Sequence, residues 1–172
     1  PISFFTNSGH APMGWGLPAS IGTYYANIKK RIKSNFICLT GEGGFQMNIQ
    51  ELATIMHNKM PIKIFLFNNG GYLTIKQTQQ LGFGGRIMGA DKDSGLSFPD
   101  YKKISESHKI KYFRLKTNVE LDKKIGNILN YKGSLLCELI MNPNEEQTPK
   151  AINKRAPDGK SIPTSFRSEE HT

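Results

Sequence analysis

The sequence contains few cysteines and no long apolar run. Among its 172 residues are two Cys, and no segment reaches the roughly 18 to 20 apolar residues of a membrane-spanning helix. The N-terminus lacks the basic, apolar and small-residue order of a signal peptide. Cys38 and Cys137 each lie in an apolar run, which is typical of small buried thiols and not of a disulfide framework. We therefore expect a soluble, cytoplasmic protein with no membrane partner.

Acidic residues are also scarce relative to basic ones. The chain has 23 Lys and Arg against 14 Asp and Glu, a net charge of +9. Such a charge permits a nucleic-acid partner. Only Lys29, Lys30, Arg31 and Lys33 cluster, and the other lysines are scattered, which indicates a solvated surface. We expect no nucleic-acid partner, and a basic nucleic-acid-binding domain stays a rival that requires salt-sensitive binding.

The length suits one domain with a tail. The chain is 37% apolar, enough for one core and too short for two ordinary ones. We expect a domain over residues 1–142 and a polar, proline-containing, irregular tail over residues 143–172. The first residue is Pro1 and not Met. We expect the chain to be a piece of a longer polypeptide.

Alternating apolar patterns indicate a parallel sheet. Short apolar runs predict strands at 36–40, 62–67, 134–141 and, more weakly, 110–115. Helical spacing predicts helices at 17–30, 48–59, 100–108 and 119–130, with Asn48 capping the second. This order predicts an α/β fold with three layers, α/β/α, and a mostly parallel sheet, which binds ligands at the carboxyl ends of its strands. The glycine-rich segment 82–96 predicts a long loop near that edge.

Two turns carry the candidate chemistry. Segment 41–44, Gly-Glu-Gly-Gly, follows the first strand, and its glycines would let N–H groups approach a phosphate at a helix N-terminus. Taken alone, this segment is equally typical of a tight turn that binds no phosphate. The strand 62–67 is followed by segment 68–72, Asn-Asn-Gly-Gly-Tyr, which brings amide and carbonyl oxygens to the same edge. One carboxylate, one amide oxygen and one carbonyl would suit Mg²⁺.

Both turns resemble the signature of thiamin-diphosphate enzymes. That signature begins Gly-Asp-Gly and ends Asn-Asn about two dozen residues later, similar to 41–43 and 68–69 here. Segment 9–22 resembles the family's MGxGLPAxIG motif, and segments 45–54 and 68–80 resemble acetolactate synthase, as do Pro149-Lys150 and 158–160. The chain is thus similar to the C-terminal thiamin-diphosphate-binding domain of acetolactate synthase large subunit-like proteins.

The resemblance implies a cofactor site. The metal ligands, for Mg²⁺ or another divalent cation, would be Glu42, the Asn69 side chain and the Gly71 carbonyl. Met13 would support the bent conformation of thiamin diphosphate, although an ordinary core methionine is the alternative. The remaining implied contacts are the diphosphate-lining Gly41, Gly43 and Gly44, the carbonyl near Ala11, and the packing residues Tyr72 and Leu73.

Two positions depart from the family pattern. Glu42 stands where the family has Asp, one methylene shorter, which puts metal binding in question because Mg²⁺ demands near-octahedral geometry. Gly44 replaces the more usual Ser or Ala. The family's pyrimidine-binding and central domains have no counterpart here, and its activating glutamate comes from the partner subunit. We therefore assign no catalytic residue to this chain and expect the chain alone to be inactive.

The resemblance implies a transferase or lyase that decarboxylates a 2-oxo acid such as pyruvate and passes the two-carbon fragment to an acceptor. The full-length enzyme would be a homodimer or homotetramer. Two alternatives stay open: another decarboxylase or carboligase that uses the same cofactor, and a non-catalytic remnant in which Glu42 no longer supports metal.

Overall fold

A four-stranded parallel sheet organises the protein. The computed structural model describes residues 3–7, 9–29, 34–145, 153–155, 157–159 and 161–163. The strands run in the spatial order β1-β2-β4-β3, and each neighbouring pair is parallel. All four carboxyl ends therefore lie at one edge. The strands are β1 (Phe36–Gly41), β2 (Ile62–Asn68), β3 (Lys111–Leu115) and β4 (Leu135–Ile140).

Helices cover both faces of this sheet. One core joins Leu17, Leu52 and Tyr101 to the strand residues Ile64 and Leu136. The other packs Ile128 against strand residues such as Phe65 and Cys137. The predicted α/β fold with a parallel sheet is confirmed. The helices are α1 (Gly16–Lys29), α2 (Glu42–Met47), α3 (Glu51–His57), α4 (Leu73–Gly82), α5 (Tyr101–Ser107) and α6 (Asn118–Asn130), and a short 3-10 helix spans Lys92–Ser94.

Polar side chains define the starts of α5 and α6. Asp100 Oδ1 accepts hydrogen bonds from Lys102 N at 2.9 Å and Lys103 N at 3.1 Å. Thr117 Oγ1 accepts one from Glu120 N at 3.2 Å. These contacts satisfy N–H groups that have no partner within the helix. Both helices begin within one residue of the predicted positions.

The helix predicted at 48–59 is confirmed in its central part, α3 (Glu51–His57), but its predicted start at Asn48 is wrong and α2 before it was not predicted. The chain forms α2 directly after β1 and then α3, which starts at Glu51 with Gln50 as its N-cap residue. Asn48 does not cap α3, because its Oδ1 accepts from the Gln50 side chain at 3.0 Å, while its Nδ2 donates to Gly14 O at 2.7 Å. That bond ties the loop before α1 to the end of α2. Helix α4 was also missed, because it has no buried residue to produce an apolar periodicity.

The prediction of a wholly irregular tail is also wrong. Two short strands, β5 (Asn153–Arg155) and β6 (Ser161–Pro163), pair antiparallel. The turn between them contains Gly159 at φ +82°, a backbone conformation that glycine adopts without a Cβ penalty. Asp-Gly is a frequent turn dipeptide in hairpins. Pro149 and Lys150 lie outside the described residues.

The described residues include only part of the basic cluster. Lys29 ends α1, whereas Lys30, Arg31 and Lys33 lie outside the described residues. None of the helices in the described ranges combines the length and the apolar composition needed to cross a bilayer.

Both cysteine thiols should react slowly in the folded protein. Burial raises the pKa of Cys38 and of Cys137 to about 11, so little reactive thiolate forms at about pH 8. Mass spectrometry after iodoacetamide treatment should find both cysteines largely unmodified in buffer and both modified in denaturant. Rapid labelling of either thiol under native conditions would contradict this packing.

Candidate functional site

Two turns meet at the carboxyl edge of the sheet. The first joins β1 to α2 at Gly41 and Glu42, and the second, residues 69–71, joins β2 to α4. Gly41 pairs with Phe67 in the register of β1 and β2. Because the two strands are adjacent and parallel, the turns that follow them are also adjacent. Gly41 itself is exposed and precedes the first turn of α2.

The side chain of Glu42 joins the two turns. Its carboxylate is buried, with the residue 1% exposed, and its Oε1 accepts a hydrogen bond from Gly70 N at 2.7 Å while Oε2 accepts one from Asn69 N at 3.1 Å. Burial raises the pKa of Glu42, and these backbone N–H groups act in the opposite direction. A carboxylate has about four lone-pair sites. The two hydrogen bonds therefore do not use every lone pair of this carboxylate.

The second turn is held by its own polar groups. Asn69 Oδ1 accepts a hydrogen bond from Gly71 N at 3.1 Å, and Gly70 adopts φ +76°. Tyr72 N donates to Ala90 O at 2.7 Å, so the loop before the 3-10 helix lies against the turn. At Gly71 a Cβ would lie 2.5 Å from that same carbonyl oxygen. Only glycine fits this close approach of two backbones.

Met13 and Tyr72 converge on the first turn. A Cβ at Gly43 would lie 2.6 Å from Tyr72 Cε1 and 2.9 Å from Met13 Sδ. Met13 is 42% exposed, so it is not part of the apolar core, which was the alternative for this residue. At Gly44 a Cβ would lie 2.8 Å from Thr40 Oγ1. Gly44 therefore fits beside the hydroxyl of Thr40, where a larger residue would require that side chain to move.

Two other predicted residues, Ala11 and Leu73, do not take part in the contacts described above. Ala11 is exposed at φ +44°, and its N–H donates to Asn7 O at 2.9 Å. Leu73 is the first residue of α4 and is half-buried. The structure thus brings Glu42 and the 69–71 turn together, and Gly43 with Met13 and Tyr72. The roles of Ala11 and Leu73 rest on the resemblance alone.

The sequence-based predictions missed a buried polar cluster that lies beside the second turn. Glu138, 4% exposed, accepts hydrogen bonds from Asn68 Nδ2 at 2.5 Å and from the Tyr112 hydroxyl, and Arg114 Nε lies 3.5 Å from its Oε2. These four residues and Gly70 help to line a cleft of about 600 Å³. The available signal was a charged residue within the otherwise apolar run 135–140. Such a residue is rarely buried without polar partners.

No group of three or more His, Cys, Asp or Glu side chains that could hold a metal ion occurs within the described ranges.

Comparison with known proteins defines the class. The profile of the family described as thiamine pyrophosphate enzyme, C-terminal TPP binding domain, matches residues 1–139. The chain therefore belongs to this family of thiamin-diphosphate-binding domains.

Its relatives include acetolactate synthases. The chain is 36% identical over 146 residues to the acetolactate synthase large subunit of Cyanidium caldarium, covering 85% of this chain and 24% of that protein. It is 30% identical over 149 residues to the acetolactate synthase isozyme 2 large subunit of Escherichia coli, covering 87% and 26%. The chain thus spans about a quarter of the length of these curated relatives.

A solved structure supports the fold. Benzoylformate decarboxylase from Polynucleobacter necessarius superposes with a TM-score of 0.68 at 24% identity, covering 76% of this chain and 24% of that one. At this identity the likeness concerns the fold.

Adding a methyl group at Gly71 should disturb the second turn. The nearest obstacle is the main-chain oxygen of Ala90, which cannot rotate away, so Gly71→Ala should destabilise the protein by about 1–3 kcal/mol. Gly126→Ala is a matched control, since a Cβ there meets nothing within 4 Å on the exposed face of α6. That variant should gain about 1 kcal/mol from helix propensity. Urea unfolding measures both, and equal stability of the two variants would contradict the close approach.

Proposed function

We propose that this domain binds thiamin diphosphate through a divalent cation, Mg²⁺, held by Glu42, Asn69 and the Gly71 carbonyl. The observation that carries the proposal is the buried Glu42 carboxylate hydrogen-bonded to the turn that contains the other two ligands. An all-oxygen set of one carboxylate, one amide and one carbonyl matches the preference of Mg²⁺, which also retains substrate phosphate and water ligands.

The glycines of the first turn leave main-chain N–H groups for the diphosphate. The Met13 and Tyr72 side chains pack directly against Gly43, where a Cβ would lie 2.6 Å from Tyr72 Cε1. Main-chain N–H groups at Gly43 and Gly44, together with the cation, would neutralise phosphate charge. Met13 is exposed enough to contact the cofactor and to support its bent conformation.

The intact protein would be an acetolactate-synthase-like transferase or lyase that acts on a 2-oxo acid such as pyruvate. Bound thiamin diphosphate supplies the electron sink for breaking and forming carbon–carbon bonds next to a carbonyl. The residues of this chain would hold the diphosphate and set the cofactor's conformation. The similarity to acetolactate synthases over about a quarter of their length supports this proposal.

Activation would depend on further domains and on a partner subunit. We infer that the active enzyme is a homo-oligomer in which each active site lies between subunits, and that this domain alone is inactive. A cytoplasmic location accords with two buried free thiols, since reducing compartments preserve unpaired cysteines.

A non-catalytic module is the second candidate. The observation that favours it is the nearly complete burial of Glu42, both of whose oxygens already accept backbone hydrogen bonds. In that case the longer side chain would have replaced a metal site with a purely structural tie between β1 and β2.

Calorimetric titration with thiamin diphosphate distinguishes the two candidates. We expect binding that requires Mg²⁺ and that weakens at least about 10-fold in Asn69→Ala, because the cation loses a direct ligand. Asn58→Ala is the matched control. Its side chain caps the far end of α3 by donating to Thr54 O, so binding should be unchanged.

Glu42→Asp tests the departure from the family pattern. Binding by wild type or by this variant supports the cofactor site. Absence of Mg²⁺-dependent binding in both would support the non-catalytic module.

A further inference from the structure

Glu138 lies next to the candidate metal turn without belonging to it. We propose that Glu138 is a positioning residue, acting through Asn68 to hold the 69–71 turn in the conformation that binds the cation. The inference deepens the proposed function and rests on it for the identity of the cation.

A continuous chain of hydrogen bonds connects the two sites. Glu138 Oε1 accepts from Asn68 Nδ2 at 2.5 Å, and Asn68 Oδ1 accepts from Gly70 N at 3.1 Å. Gly70 N also donates to Glu42 Oε1 at 2.7 Å. Both ends of the Asn68 amide are therefore engaged, which fixes its orientation. Gly70 N is shared between the Asn68 amide and the Glu42 carboxylate. A shift of Asn68 would therefore change the hydrogen bond that Gly70 N donates to Glu42, a proposed metal ligand.

Glu138 is itself held by residues on the two strands that flank β4. Asn68 lies on β2, Glu138 on β4, and Tyr112 and Arg114 on β3. The Tyr112 hydroxyl donates to Glu138 Oε2, and the nearby charge of Arg114 offsets part of the cost of burying the carboxylate. Burial, and secondarily Glu138, raises the pKa of Tyr112, which keeps this hydroxyl protonated as a donor. The carboxylate thus provides a rigid anchor for Asn68.

The position of Glu138 on β4 indicates a role other than packing the core. Along β4 the residues before it, Leu135 to Cys137, are fully apolar and buried, and Glu138 begins the carboxyl end. An apolar residue there would pack on Leu66, its neighbour in the register, but would leave the Asn68 amide without its acceptor. Polar groups that orient metal ligands in this way usually matter for affinity more than for the fold.

Two substitutions separate positioning from packing. Glu138→Leu introduces an apolar side chain of similar size and removes the acceptor, whereas Glu138→Gln retains a side-chain oxygen that can accept from Asn68 Nδ2. We expect Glu138→Leu to weaken Mg²⁺ binding in the presence of saturating thiamin diphosphate by about 10-fold or more, and Glu138→Gln to restore most of the affinity. Hydrogen exchange at the Gly70 amide, measured by NMR in the cofactor-free chain, gives a second readout. Exchange should be faster than in wild type for Glu138→Leu and near the wild-type rate for Glu138→Gln.

Lys63→Met is the matched control. Lys63 is as buried as Glu138 but lies at the opposite end of β2, where its Nζ donates to Gly133 O at 2.7 Å and Pro61 O at 3.0 Å. Its loss should lower stability without selectively accelerating exchange at Gly70. Asn68→Ala should reproduce the Glu138→Leu effect, and combining the two should add little further loss, because both act on one chain of contacts.

The outcomes distinguish this inference from the proposed function. Native exchange at Gly70 in Glu138→Leu, or additive losses in the double variant, would overturn the positioning role. So would a Glu138→Gln variant as impaired as Glu138→Leu. Absence of Mg²⁺-dependent cofactor binding in both wild type and Glu42→Asp would overturn the proposed function, while the exchange measurement would still decide whether Glu138 holds the turn.

Discussion

The buried carboxylate of Glu42 binds two backbone amides of the neighbouring turn, and the geometry of the candidate site depends on this contact. A parallel sheet brings the ends of β1 and β2 together but does not fix the turns that follow them. The hydrogen bonds from Asn69 and Gly70 supply that constraint.

Close backbone approaches around this contact explain the glycines. Gly43 lets the side chains of Met13 and Tyr72 pack directly against the first turn, and Gly71 lets the loop carbonyl of Ala90 come against the second turn. Neither position tolerates a Cβ without displacement of its neighbours. The loop after α4 is held by this approach of Ala90 to Gly71 and by the ion pair of Lys76 with Asp91 at 3.0 Å. The glycine-rich sequence thus reflects crowding of backbone at the site as much as conformational freedom.

The sheet was predictable because its strands are buried apolar runs, and α5 and α6 begin close to the predicted positions, where Asp100 and Thr117 act as N-caps. The adjacency of Glu42 and Asn69 followed from the parallel topology. Long-range polar contacts were not predictable from local patterns. Asn48 donates to Gly14 O, 34 residues away, and Glu138 accepts from Asn68 across 70 residues of chain. Helix α4 was missed because it buries no apolar face.

The central claim is that Glu42 and the 69–71 turn form one cation site for thiamin diphosphate. A crystal structure of the chain with thiamin diphosphate and Mg²⁺ tests it most directly. The account predicts the cation about 2.0–2.1 Å from a Glu42 carboxylate oxygen, from Asn69 Oδ1 and from the Gly71 carbonyl oxygen, as Mg²⁺ coordination requires. A cation bound elsewhere, or a cofactor bound with Glu42 still tied only to backbone amides, would contradict it.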